Sequence, residues 1–301
     1  MQPLPHRRLS AVLVRMGGSL VLLDCGEGTQ VAVRERAWGL RNLSTILLTH
    51  MHADHVLGLP GLLLTLAHAG KEADEPITIY GPEPLLSVLQ GLLVVAPYLT
   101  YPVHPVVLSG GETFTPPGAP GMQVRCLRLD HDVPCLAYSL AVPRAPRFDP
   151  DRARALHIPV AEWRRLQQGH SVIIDGREIP PSAVLGPPRP GVRLVLATDT
   201  VSTPELTAFV HDGGQGADLL ITDAMYPDEE AKPKRWEAQH LTFAEAATLA
   251  RDGQAKRLWL THFGPALSDP VAHLDKATAL FPATVVGYDG MTEVLSFEND
   301  S

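Results

Sequence analysis

The chain has 301 residues, 45% of them hydrophobic and 19% charged, the proportions of a soluble globular protein with ample material for a core. No apolar stretch approaches the roughly 20 residues that cross a bilayer, and the opening MQPLPHRRLS lacks the continuous apolar run of a secretory signal, so a cytoplasmic protein with no membrane partner is expected. A formal charge of −8 argues against a broadly basic coat for nucleic acid while leaving room for one local basic patch, and no DNA partner is expected; Cys25, Cys126 and Cys135 are too few and too scattered for a disulfide framework or a Cys-x-x-Cys zinc site.

The apolar runs alternate between strand and helix signals. LSAVLVRMGGSLVLLDCG reads as a hairpin around Gly-Gly, STILLTH as a buried strand, and GLPGLLLTLAHAG as a helix ending at Gly70. PITIYGPEPLLSVLQGLL is strand, turn, then a helix with Pro84 near its start. MQVRCLRLDH and CLAYSLAV form a further strand pair. Residues 143–192 break this rhythm: across 144–193 nine arginines stand against five acidic residues, with proline clusters at both ends, which marks an inserted segment rather than core. The rhythm then resumes with RLVLATD, ADLLITDAMY, a helix TFAEAATLARDG with Thr242 as N-cap and Glu245 completing a capping box, RLWLTH and TVVGYDG. The expectation is an α/β chain with two sheet-forming halves around one insertion.

The densest chemistry follows STILLT. In HMHADH, His50, His52, Asp54 and His55 fall within six positions. The two-residue period of a strand puts His50 and His52 on one side, and Asp54 and His55 sit at the turn into the next helix, so one segment feeds two metals a few ångströms apart. Imidazole and carboxylate without thiolate suit Zn²⁺, with Mn²⁺ or Fe²⁺ as further candidates. Two other apolar runs also end on ligand-type residues, LWLTH and VLATD.

HMHADH matches the His-x-His-x-Asp-His motif of the metallo-β-lactamase superfamily, whose members are αββα sandwiches with a binuclear metal site at one edge of the two sheets. That resemblance implies that the remaining ligands arrive singly at strand ends, and His131, Asp199 and His262 follow in the right order. It assigns His50, His52 and His131 to one metal, Asp54, His55 and His262 to the second, and Asp199 to the bridge.

Within the superfamily the chain resembles the ribonuclease Z family, endonucleases that trim the 3′ trailer from precursor tRNA. LLDCGEGTQ, HADHVLGLPGLL, IYGPEPL, HLTFAEAA and LTH carry the resemblance over nearly the whole chain, as one domain spanning 1–301 with the segment 143–192 as an inserted, flexible tRNA-binding arm. It implies that His240 protonates the leaving oxygen with a carboxylate partner, that Asp54 doubles as general base, and that a homodimer lends one subunit's arm to the other's site. Asp223 stands where many relatives have the longer glutamate. In the arm, Trp163, Arg164 and Arg165 suit RNA contact, although HIPVAEW replaces the Gly-Pro tip of many relatives. Relatives also begin with an extra strand and a GTG turn, whereas this chain opens at the next segment, which would expose a sheet edge.

A phosphodiesterase or aryl-sulfatase-like hydrolase of small esters would use the same metals, but has no need of an arginine-rich arm. A non-catalytic tRNA-binding protein would be expected to have lost ligands, and all seven are present. Di-iron relatives usually carry glutamate at the position of His52, and thiol-ester hydrolases of the glyoxalase type lack the LPGLL continuation.

Overall fold

The computed structural model describes residues 3–233 and 239–298. The expected hairpin forms β1 (Val12–Met16) and β2 (Ser19–Leu23), with Val14 opposite Val21. Gly17 takes φ 58° in the turn between them, a conformation that a side chain resists. Helix α1 (Thr29–Glu35) crosses to β3 (Leu43–Leu47), parallel to β2. The expected helix forms as α3 (Leu59–His68), just short of Gly70, and a one-turn helix α2 (Ala53–Val56) precedes it within the histidine motif. Leu59, Leu62, Leu63 and Leu66 form the buried stripe of α3, at amphipathic spacing. Strand β4 (Ile77–Gly81), helix α4 (Leu85–Leu93) and strand β5 (Val103–Val107) complete a sheet ordered β1-β2-β3-β4-β5.

A second sheet opens with three antiparallel strands, β6 (Thr113–Phe114), β7 (Gln123–Leu129) and β8 (Cys135–Arg144). Residues Val142–Val192, with the end of the chain from Ser296, make a compact unit of their own. It holds α5 (Pro150–Ala155), α6 (Val160–Gln167) and a hairpin of β9 (Val172–Ile174) and β10 (Arg177–Ile179) around Ala153, Ile158, Leu166, Val172, Ile179 and Val184. Strand β11 (Arg189–Ala197), helix α7 (Pro204–His211), strand β12 (Leu219–Asp223), helix α8 (Phe243–Asp252), strand β13 (Leu258–Thr261), helix α9 (Asp275–Thr278) and strand β14 (Thr284–Val286) follow. The second sheet is ordered β14-β13-β12-β11-β8-β7-β6. Helix α8 starts on the expected capping box: Thr242 Oγ1 accepts from the Glu245 amide and the Glu245 carboxylate accepts from the Thr242 amide.

Side-chain alternation along the strands sets the layers. Val21, Leu23 and Leu47 face inward against Val124, Tyr138, Leu196 and Ile221 of the other sheet. Their neighbours Leu20, Leu22 and Ile46 face outward under α1, α3 and α4. On the far side Val195, Leu220 and Leu258 lie under α7 and α8, through Leu206, Phe209, Phe243 and Leu249. Helix, sheet, sheet, helix is the αββα order. The Tyr138 hydroxyl donates to Leu48 O across the sandwich at 2.8 Å, pinning the two sheets beside the histidine motif.

Candidate metal centre

The ligand-type residues gather where strands stop. His50 follows β3, His131 follows β7, Asp199 follows β11, Asp223 closes β12 and His262 follows β13. The motif segment is clamped onto the end of β2: the Cys25 amide donates to His55 O at 2.8 Å, and the Gly58 amide to Cys25 O at 2.9 Å. A side chain at Gly58 would run into the carbonyls of Gly26 and Cys25, and one at Gly26 into Leu9 and the Asp54 carbonyl. Glycine at both places lets the two backbones meet.

Two sets of donors result. Nε2 of His50 lies 3.0 Å from Nδ1 of His52, which lies 3.5 Å from Nε2 of His131. In the second set, Nε2 of His55 and Nε2 of His262 are 3.4 Å apart, and Oδ2 of Asp54 is 3.4 and 3.3 Å from them. Asp199 spans both, with one oxygen 4.0 Å from His50 and 3.3 Å from His262, the other 3.4 Å from His55. A tetrahedral cation with bonds of about 2.0–2.1 Å separates its donors by roughly 3.3–3.4 Å. The two triads therefore fit a divalent cation each, and imidazole lone pairs brought this close repel one another unless a cation lies among them.

Burial and charge act in opposite directions here. Burial, then the neighbouring His55, pushes His50 down to about 2, so it stays neutral and ready to bind. For His55 burial is overcome by the carboxylates of Asp24 and Asp199, which hold its pKa well above the ordinary value. Asp199, though wholly buried, is held far below the usual carboxylate range by His262, His55 and His50. Asp199 and His262 also take the left-handed backbone conformation, with φ of 58° and 54°. That costs a non-glycine residue about 1–2 kcal/mol, and is common where a site dictates side-chain direction.

His240 stands beside this pair of sets, its ring stacked on His262 with centroids 5.4 Å apart. Its Nδ1–H donates to Asp223 Oδ2 at 3.2 Å, and the Leu241 amide holds the same oxygen at 3.0 Å. The shorter acid reaches because Asp223 ends β12, bringing its backbone close to the loop that carries His240. Burial lowers the pKa of His240, but the bond to Asp223 outweighs it and leaves the value raised.

Comparison with known proteins gives the family and the fold. The metallo-β-lactamase superfamily model matches residues 7–140. The ribonuclease Z of Clostridium acetobutylicum is 38% identical over 99% of this chain and 96% of its own length. That of Clostridium kluyveri is 40% identical over 98% and 95%. The chain belongs to the ribonuclease Z family. Among solved structures, the short form of human tRNase Z superposes with TM-score 0.65 at 22% identity, covering 99% of this chain and 96% of the other. The metallo-β-lactamase fold protein YhfI of Bacillus subtilis gives 0.63 at 19%, covering 96% and 92%. Both structures support the fold.

In this member of the ribonuclease Z family, the structure adds residues that sequence reasoning passed over. Asp24, buried after β2, places Oδ2 2.8 Å from His55 Nδ1 while Oδ1 accepts from the Thr49 amide at 2.7 Å. Its signal was an apolar run ending in a carboxylate, VLLD, the same pattern that marked Asp199. Asp132, next to His131, also faces the site, 2.9 Å from His131 Nε2. In the inserted unit, Arg164 and Arg165 are exposed, whereas Trp163 is half-buried. The indole N–H of Trp163 donates to Ile158 O at 3.0 Å and its ring leans on Phe148, so much of this side chain serves the core of its own unit.

Proposed function

We propose that this chain is a metal-dependent endoribonuclease that removes the 3′ trailer from precursor tRNA, holding two Zn²⁺ ions. Mn²⁺ and Fe²⁺ suit the same donors. His50, His52 and His131 would hold one ion, Asp54, His55 and His262 the other, with Asp199 shared. When bound, two divalent cations supply a nucleophilic water at neutral pH and offset charge on the phosphate. The chain's own groups do the rest. Asp54 accepts a proton as general base, and Asp24 keeps the His55 ring turned so that Nε2 faces inward. His240, kept protonated by Asp223, gives its proton to the departing oxygen. Residues 143–192 are the arm that grips the tRNA body, with Arg164 and Arg165 on phosphates. The partner arrangement consistent with the family is a homodimer in which one subunit's arm serves the other's centre.

The observation that carries this reading is a complete donor set, with His240 beside it on Asp223, in a member of the ribonuclease Z family. The test incubates purified protein with precursor tRNA and with a small phosphodiester, each with and without chelator. Both should be cleaved, with activity lost to chelation and restored by Zn²⁺. Cleavage of the small ester but never of precursor tRNA would replace this reading with that of a small-ester hydrolase.

A further inference from the structure

Thr49 immediately precedes the histidine motif, and its hydroxyl sits among three buried polar side chains. Its Oγ1 lies 3.0 and 2.9 Å from the two carboxylate oxygens of Asp24, 3.0 Å from Nδ1 of His50 and 3.4 Å from Nδ1 of His55. Asp24 is 1% exposed and Thr49, His50 and His55 not at all, so these groups must satisfy one another.

Counting protons fixes the direction of each bond. A carboxylate only accepts, so the single hydroxyl proton of Thr49 points to Asp24. The Nδ1–H of His55 goes to Asp24 Oδ2, at 2.8 Å the nearer acceptor. Thr49 is then left with a lone pair facing Nδ1 of His50, which calls for a proton on that nitrogen. In the neutral ring this leaves Nε2 of His50 without one, turned toward Nδ1 of His52 at 3.0 Å and Asp199 at 4.0 Å. Asp24 thus reaches one ligand of each donor set: His55 directly, and His50 through one hydroxyl.

We propose that Thr49 is a positioning residue that extends the hold of Asp24 from the Asp54–His55–His262 set to the His50–His52–His131 set, so that one buried carboxylate orients a ligand to each ion. This role rests on the two-ion reading above. Without the hydroxyl, Nδ1–H of His50 loses the acceptor that the structure gives it. The proton moves to Nε2, where Nδ1 of His52 stands ready to accept it, and the nitrogen that the ion needs is blocked. His55 keeps its own bond to Asp24. Removing the hydroxyl therefore weakens one ion and spares the other.

The test compares wild type with Thr49→Val, which keeps the shape of the side chain and the amide bond to Asp24, and with Thr49→Ser, which keeps the hydroxyl. In metal-free protein isotope-labelled at the histidine nitrogens, NMR should show His50 with its proton on Nδ1 in wild type and the serine variant, and on Nε2 in the valine variant. Zinc competition against a chromophoric chelator should give two tight sites in wild type and the serine variant. In the valine variant one site should weaken by about 10–100-fold, and anomalous scattering should place the retained ion on Asp54, His55 and His262. A wild-type His50 with its proton on Nε2 overturns the proposal by itself, whether or not the valine variant folds. So does a valine variant that binds both ions at wild-type affinity, or one that weakens both equally, which would limit Thr49 to packing around Asp24. A wild-type protein that bound a single ion would refute the two-ion reading, and the ring proton of His50 would still decide the role of Thr49.

Discussion

The carboxylate of Asp24 lies 2.8 Å from Nδ1 of His55, and both side chains are buried. With its Nδ1–H given to Asp24, the His55 ring turns Nε2 toward Asp54, His262 and Asp199 as the nitrogen that a metal would take in place of a proton. This is the orientation a metal requires, and such outer carboxylates typically account for 10–100-fold in metal affinity. Asp24→Asn tests the orientation sharply. Oδ1 of residue 24 is tied to the Thr49 amide at 2.7 Å, so the new NH₂ would fall opposite His55 Nδ1 and donate to it, driving the ring proton to Nε2. Metal affinity, measured by competition with a chromophoric chelator, should drop about 10–100-fold. Unchanged affinity would mean that Asp24 only packs.

That relationship marks the limit of what the sequence made legible. His50, His52, Asp54 and His55 declare themselves by local spacing, and the αββα order follows from apolar runs that alternate in the right way. His131, Asp199 and His262 needed the resemblance, because one polar residue after a strand is common. Asp24 has the same local look as Asp199, but its role exists only once β2 and β3 pair and bring it to His55, 31 positions away. Trp163 shows the converse: beside two arginines it reads as an RNA contact, yet much of its surface is taken by Phe148 and Ile158, a packing that composition does not reveal. The one-turn helix α2 was hidden for a similar reason, since the Gly58 amide just beyond it is taken by the carbonyl of Cys25, a distant partner.

The pairing of His240 with Asp223 gives a prediction about leaving groups. A general acid typically contributes 10²–10⁴-fold when the departing oxygen is a poor leaving group. His240→Ala should therefore reduce kcat on precursor tRNA by at least about 10²-fold, with the metal content unchanged. A nitrophenyl phosphodiester leaves as a stable phenolate and needs no proton, so its cleavage should fall far less. Asp223→Asn should act in the same direction but more weakly. Equal loss on both substrates would show that His240 supports the centre rather than protonating a product.

Away from the metal centre, Glu112 supplies a prediction about acid stability. Its carboxylate accepts from the amides of Ser109 and Gly110, each at 2.8 Å, in the turn between β5 and β6, and the Cys126 thiol lies 3.0 Å away. The Ser109 amide and the Cys126 thiol, foremost, hold its pKa down at about 2, below the ordinary 4.5. A folded-state pKa below the unfolded one means stability that is complete above 4.5 and is lost as pH falls toward 2. Replacing Glu112 by Gln should thus lower Tm at neutral pH by a few degrees, and the gap from wild type should close between these two values. Calorimetry across that range measures it directly. A gap that stays constant would mean that the turn depends on shape and not on the charge of Glu112.

The arm residues yield a prediction in ionic strength. Arg164 and Arg165 are exposed in α6, and Arg165 pairs with the nearby carboxylate of Glu162 at 3.5 Å, a surface pair that stabilises little. If both guanidinium groups contact tRNA phosphates, Arg164→Ala with Arg165→Ala should flatten the slope of log affinity against log salt by about one unit per lost contact. KM for precursor tRNA would rise while hydrolysis of a small phosphodiester stayed constant. Deleting residues 150–185 should abolish tRNA cleavage altogether and spare the small ester. Trp163→Phe provides the control: it removes the N–H bond to Ile158 but keeps an aromatic ring on Phe148, so it should lower the stability of the inserted unit with little change in the salt slope. Equal loss of both activities in the double arginine variant would assign these residues a structural role and move the tRNA contact elsewhere on the chain.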